Sequence, residues 1–159
     1  MPPRAVLVAA LALTLTLPAS AAPAAGNDYT AFLEACIAAA GGPGRSAATT
    51  CFGQVTQSCL VATDLTTRDM VDCAGEELTA WDDLMAAALT RLRIAEPQAR
   101  IEVIERAQER WALWRDARCA IYATFEGSLF RPLAVRCLAD TTADRVVDLW
   151  QIERGLVGE

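Results

Sequence analysis

Six cysteines, Cys36, Cys51, Cys59, Cys73, Cys119 and Cys137, constrain this 159-residue chain more than any other feature of it. An even number without a C-x-x-C pair reads as a disulfide framework if the chain is exported. The first residues bear on that condition. Residues 1–4 form a short positive segment, residues 5–17 are apolar apart from two threonines, and Pro18-Ala19-Ser20-Ala21-Ala22 offers small residues for cleavage. This is the pattern of a secretory signal peptide over residues 1–22. The apolar run is shorter than the roughly 20 residues of a spanning helix, and no cysteine stands at the cleavage site to carry a lipid. The expected protein is periplasmic or secreted, where disulfides persist.

Beyond the leader, apolar residues recur at helical spacing and no stretch alternates with the period of a strand. A first helix is expected over residues 28–40, broken by Gly41-Gly42-Pro43-Gly44, and a second over 46–61. Thr66 with Asp69 resembles a capping box, with Asp in place of Glu. The third helix that it opens runs to about residue 94. Val71, Ala74, Leu78, Trp81, Met85, Ala88 and Leu92 step along it by three and four, one face of a bundle helix. Pro97 suits the first turn of a fourth helix, which ends near Glu126 before Gly127. Ser128 is a candidate cap for a fifth, with Pro132 tolerated in its first turn, reaching Leu156. The expected fold is all-α: an antiparallel bundle of three long helices with a short N-terminal helical hairpin, in one domain over residues 28–156.

The cysteines test that layout. Six allow 15 connectivities. Cys119 and Cys137 flank the Gly127 turn, Cys36 and Cys51 straddle the glycine-rich turn, and Cys59 and Cys73 straddle the turn at Asp64. A bridge needs Cα atoms within about 7 Å, so helical hairpins select Cys36–Cys51, Cys59–Cys73 and Cys119–Cys137.

Charge and composition narrow the function. The net charge is −6, with no Lys and no His, and loss of Arg4 with the leader takes it to −7. This argues against nucleic acid and an anionic membrane as partners and favours a basic protein through long-range steering. The absence of His removes the commonest general base and metal ligand. Glu76 and Glu77 are adjacent on a helix and point apart, so they do not flank a single bond as hydrolytic carboxylates do. No catalytic residue, metal site or cofactor is expected.

Two helical lines carry polar groups on otherwise apolar faces. On the fourth helix they are Gln108, Trp111, Arg115, Cys119 and Tyr122, and on the fifth Leu138, Thr142, Arg145, Leu149, Ile152 and Leu156. A buried guanidinium needs a carboxylate or several carbonyls, and Asp82, Asp116 and Asp144 are candidates. The expected role of Asp82, Gln108, Arg115, Asp116 and Arg145 is a polar network that fixes helix register; a ligand groove is the alternative. Trp111 and Trp114 are expected in the core.

Ala107-Gln108-x-x-Trp111-x-x-Trp114-Arg115-Asp116-Ala117-x-Cys119, followed by Cys137-Leu138-x-x-Thr141-Thr142-x-x-Arg145, resembles the signature of the lysozyme inhibitor LprI-type domain family. Cys59, Cys73 and Trp81-Asp82 are similar to the same family's N-terminal half, so the resemblance covers about residues 59–149. Where the family usually has Leu-Asn and then Tyr, this chain has Met85, Ala86 and Leu89. The Cys36/Cys51 hairpin lies outside the common core. The resemblance implies an exported protein, without catalytic residues, in a family some members of which inhibit lysozyme. The first functional expectation is a binding module that occludes the cleft of a basic lysozyme-type partner. The turn containing Glu126, Ser128 and Arg131, pinned by the neighbouring disulfide, is the candidate partner-binding loop. The alternative is a structural or assembly factor of the cell envelope that binds another protein. Neither oligomeric state nor the role of the added hairpin is readable from the sequence.

Overall fold

The computed structural model describes residues 28–61 and 64–155, and among these there is no strand. The signal peptide expected over residues 1–22, and Leu156 at the end of the last expected helix, lie outside the described residues. The elements are α1 (Tyr29–Ala39), α2 (Arg45–Ala48), a 3-10 turn (Thr49–Cys51), α3 (Gln54–Cys59), α4 (Thr67–Ala95), α5 (Gln98–Ala120), a second 3-10 turn (Ile121–Thr124) and α6 (Phe130–Glu153).

Local chemistry accounts for most boundaries. The Asp28 carboxylate caps α1 by accepting from the Ala31 N–H at 2.9 Å. The capping box of α4 is complete: the Thr66 N–H donates to Asp69 at 2.8 Å, and the Asp69 N–H donates to the Thr66 hydroxyl at 3.2 Å. Hydrogen bonds donated to its carboxylate by the Thr66 hydroxyl, at 2.7 Å, and by the Thr66 N–H hold the Asp69 carboxyl below its usual range. Three boundaries differ from expectation. The second expected helix is split, because Gly53 adopts φ +79° and separates the 3-10 turn from α3. Pro97 is the cap of α5 rather than part of its first turn. The hairpin after α5 is longer than expected. The helix ends at Ala120, Gly127 turns at φ +114°, and α6 starts at Phe130 with no side-chain cap from Ser128.

One apolar core runs through the described structure. Leu33, Val55, Trp81, Leu92, Val146 and Leu149 are among its fully buried members. Burial of side chains of this size stabilises by about 1.5–3 kcal/mol each. α4 and α6 supply most of it and pack along each other. Contacts at Thr67–Ser128 and Arg91–Glu153 run in the same chain order, so α4 and α6 are parallel. α5 runs back alongside the pair: Arg93 meets Glu105, Met85 meets Gln108 and Asp82 meets Arg115, antiparallel to α4. Arg45 joins the N-terminal extension to α6 by ion pairs with Asp144 at 3.1 Å and with Asp148.

All three disulfides form in the expected pairing, Cys36–Cys51, Cys59–Cys73 and Cys119–Cys137, with Cα separations of 6.0, 5.6 and 5.5 Å. They close loops of 15, 14 and 18 residues, a size at which a crosslink contributes ~2–4 kcal/mol. No described helix is long and apolar enough to cross a membrane, and three disulfides fit an oxidising compartment.

Candidate functional site

The polar residues on the inner faces of α5 and α6 come together. Arg115 donates to Asp82 at 3.3 Å, to the Thr142 hydroxyl at 3.0 Å and to Asp116 at 3.0 Å. Arg145 donates to the Gln108 amide oxygen at 2.9 Å, and the Gln108 amide nitrogen donates to Met85 sulfur at 3.2 Å. The Trp111 ring lies beside both guanidiniums, 5.1 Å from Arg115 and 5.9 Å from Arg145. Ring faces attract cations through the quadrupole of the π system. Arg145 therefore sits half-buried against an amide oxygen and a ring, without an ion pair among the described residues. Burial pulls its pKa down, partly offset by the field of Asp148.

Burial likewise pushes the Asp82 carboxyl up, against the lowering effect of Arg115; Asp83 and Asp116 add to the rise. Asp144, named with Asp82 and Asp116 as a possible partner for these arginines, instead pairs with Arg45. Arg115 with Asp82 and Thr142, and Arg145 with Gln108, thus bond to one another across the interior. The position where the family usually has Asn holds exposed Ala86, while Leu89 packs on the core.

The open surface lies at the other sequence-predicted place, the α5–α6 turn. A cleft of about 700 Å³ is walled by Tyr122, Phe125, Phe130 and Arg131, with Gly127 and Ser128 at its rim. Phe125 and Phe130 stack at 4.9 Å. A second cleft of about 420 Å³ opens between Ser128, Arg131 and Val135 of the hairpin and Thr67, Val71 and Asp72 of α4. A third, of about 290 Å³, is mostly apolar, lined by Leu60, Met70, Leu129 and Leu133. Ser128 and Arg131 line two of the three, and Ser128 accepts a long 3.5 Å bond from Thr67. The Arg131 side chain makes no hydrogen bond or ion pair with the described residues; Glu126 is exposed. The Cys119–Cys137 bridge lies at the base of this hairpin.

Two residues stand where sequence reasoning did not put them. Trp114 is 52% exposed, not core; the Arg118 guanidinium lies over its ring, 5.3 Å from the centroid. Glu77 is 1% exposed and is the most demanding polar group in the structure. Its carboxylate accepts from the Gly53 N–H at 2.5 Å, the Thr56 N–H at 2.9 Å, the Thr56 hydroxyl at 2.6 Å and the Trp81 indole at 3.3 Å. It thus satisfies the start of α3, whose free N–H groups need an acceptor. Position 53 favours glycine: its φ of +79° strains any other residue, and a Cβ there would lie 2.8 Å from the Arg136 guanidinium, which would have to shift. Glu77 falls between stripe positions Ala74 and Leu78, and its four donors come partly from a segment 21–24 residues away. No periodic pattern signals that.

Outside the chain, a family model described as lysozyme inhibitor LprI matches residues 59–149, more than half the sequence. No curated protein and no solved structure matches. The matched stretch contains the Cys59–Cys73 and Cys119–Cys137 bridges, the inner polar network and the clefts' α4 and α6 walls, while Cys36–Cys51 precedes it. By its motifs and this match, the chain belongs to the lysozyme inhibitor LprI family.

Proposed function

We propose that this protein is an exported lysozyme inhibitor that acts by occlusion, inserting its α5–α6 hairpin end into the cleft of a basic lysozyme-type partner. Family membership supports the class of activity. The observation that carries the site is that Ser128 and Arg131 line two neighbouring clefts, with no hydrogen bond or ion pair to the Arg131 guanidinium among the described residues. A free guanidinium next to a hydroxyl suits recognition of the carboxylates in a muramidase cleft. Exposed Phe125 and Leu129 supply apolar area around them, and aromatic residues and arginine are the side chains that dominate interface energetics. The neighbouring disulfide lowers the ordering cost of the loop. The chain's net charge of −6 speeds encounter with a basic enzyme. In this reading residues 1–22 are removed on export, the inner network of Asp82, Gln108, Arg115, Asp116 and Arg145 sets helix register, and no residue performs chemistry.

The test is clearing of a cell-wall suspension by lysozyme. Excess protein is expected to slow clearing, and Arg131→Glu, with an unchanged helical circular dichroism spectrum, is expected to weaken inhibition by more than about tenfold, the scale of losing a buried charge pair at an interface. Unchanged clearing in the presence of excess wild-type protein sinks the proposal. An envelope assembly role, in which the mostly apolar groove at Leu129 and Leu133 receives another protein, would then take its place.

A further inference from the structure

We propose that the outward face of α5 is a second docking surface, one that lies on an anionic phospholipid bilayer. At about 100° per residue, Val103, Arg106, Arg110, Leu113, Trp114 and Ile121 share one arc of the helix and its 3-10 extension. All six are exposed, Leu113 to 74% and Val103 and Ile121 to 57%. The arc also holds alanines and no acidic residue, in a chain with 20 acids against 14 basic groups. Arg106 and Arg110 make no ion pair or side-chain hydrogen bond among the described residues. Arg118 adds a further charge on one flank, while Glu102, Glu109 and Asp116 lie on the other.

Three features favour a bilayer over a protein groove or a second copy. First, Val103, Arg106, Arg110, Leu113 and Trp114 are all exposed along one face of a single continuous helix and line none of the three clefts described above. A planar, deformable surface can cover such a face along its length. Second, the composition is that of an interfacial helix face: tryptophan and branched aliphatic side chains with arginines whose stems lie along apolar surface while their heads reach anionic headgroups. Third, two copies meeting face to face would oppose their unpaired arginines, whereas anionic lipid complements them. The net charge of the chain had argued against a membrane. That argument weighs the whole molecule, and charges farther away than about 8 Å are screened at physiological salt; acids such as Asp28, Glu76 and Asp83 lie on the α1–α4 side.

The experiment is co-sedimentation of the full protein with vesicles of phosphatidylglycerol and phosphatidylethanolamine, and with phosphatidylcholine vesicles as the neutral arm. Binding is expected on the anionic vesicles, falling at high salt, with a blue shift of tryptophan emission that is lost in Trp114→Phe. Arg106→Glu combined with Arg110→Glu is expected to weaken binding by more than about tenfold and to leave lysozyme inhibition unchanged, which separates this proposal from that of the hairpin. Should the charge reversals unfold the protein, Arg106→Gln with Arg110→Gln serves, with a smaller loss expected. The proposal is overturned by absence of binding to the anionic vesicles, by equal binding of the neutral ones, or by unchanged binding of the arginine variants. Concentration-dependent self-association without lipid that buries Trp114 overturns it equally.

Discussion

α6 and α5 are helices of nearly equal length held in the bundle by different physics. α6 places Ala143, Val146, Val147 and Leu149 in the core, all completely buried. α5 contributes only Ile101 and Ile104 to that core. Its far end is fixed covalently, by Cys119–Cys137, and its middle is held by Gln108, Trp111 and Arg115 through hydrogen bonds and ring contacts. Apolar packing supplies the larger share of stability because it removes area from water without breaking hydrogen bonds. The polar contacts of α5 exchange solvent bonds for internal ones, with a small net gain each. The helix with the weaker apolar anchorage is also the one that leaves its outer face exposed.

The sharpest way to break the comparison is a cavity in the α4–α6 core. Leu149→Ala is expected to cost about 3–5 kcal/mol, visible as a large drop in the urea midpoint. Next comes Cys119→Ser with Cys137→Ser, expected to cost ~2–4 kcal/mol. Hydrogen exchange should localise this loss, with protection falling in α5 and the hairpin more than in α4 or α6; a uniform fall would mean that α5 is no more separable than α6. Arg145→Met should change stability by less than about 1 kcal/mol, since apolar replacement of a partly buried polar contact is often neutral. A change of several kcal/mol in the thermal melt would place the network among the main stabilising features.

The smallest effect concerns pH. The Asp82 carboxyl is raised in the fold chiefly by burial. A raised carboxylate binds its proton more tightly in the folded state, so its contribution is greatest at low pH and is lost as pH rises through the folded pKa. The Asp140 carboxyl, raised by burial against the lowering effect of Arg136, follows the same sign. Asp82→Asn removes the Asp82 part alone. Melting curves between neutrality and about pH 4 should show wild type gaining on the variant as the pH falls; the opposite trend would mean that Arg115 dominates.

The disulfide pairing and the α4 capping box were readable before any coordinates, for a common reason. Each links residues close in sequence across a turn or within one turn of helix, so spacing and residue type determine them. Position on a helical line also predicted that Gln108, Arg115 and Arg145 share an interior, because a face follows from periodicity. Periodicity does not say how far a neighbouring helix extends over that face, so Trp114 was placed inside although it is half exposed.

The sequence alone determined the helical class, the crosslinks and the family, all consequences of local spacing and residue chemistry, while the break at Gly53 and the length of the α5–α6 hairpin came only with the fold. The tertiary structure decided what each surface meets. It buried Glu77 against a segment of remote sequence, and it placed two neighbouring clefts at the turn carrying Arg131. It also left one acid-free face of α5 open to solvent. These depend on which helix comes to lie beside which, and that is settled by the packing of the whole chain rather than by any stretch of it.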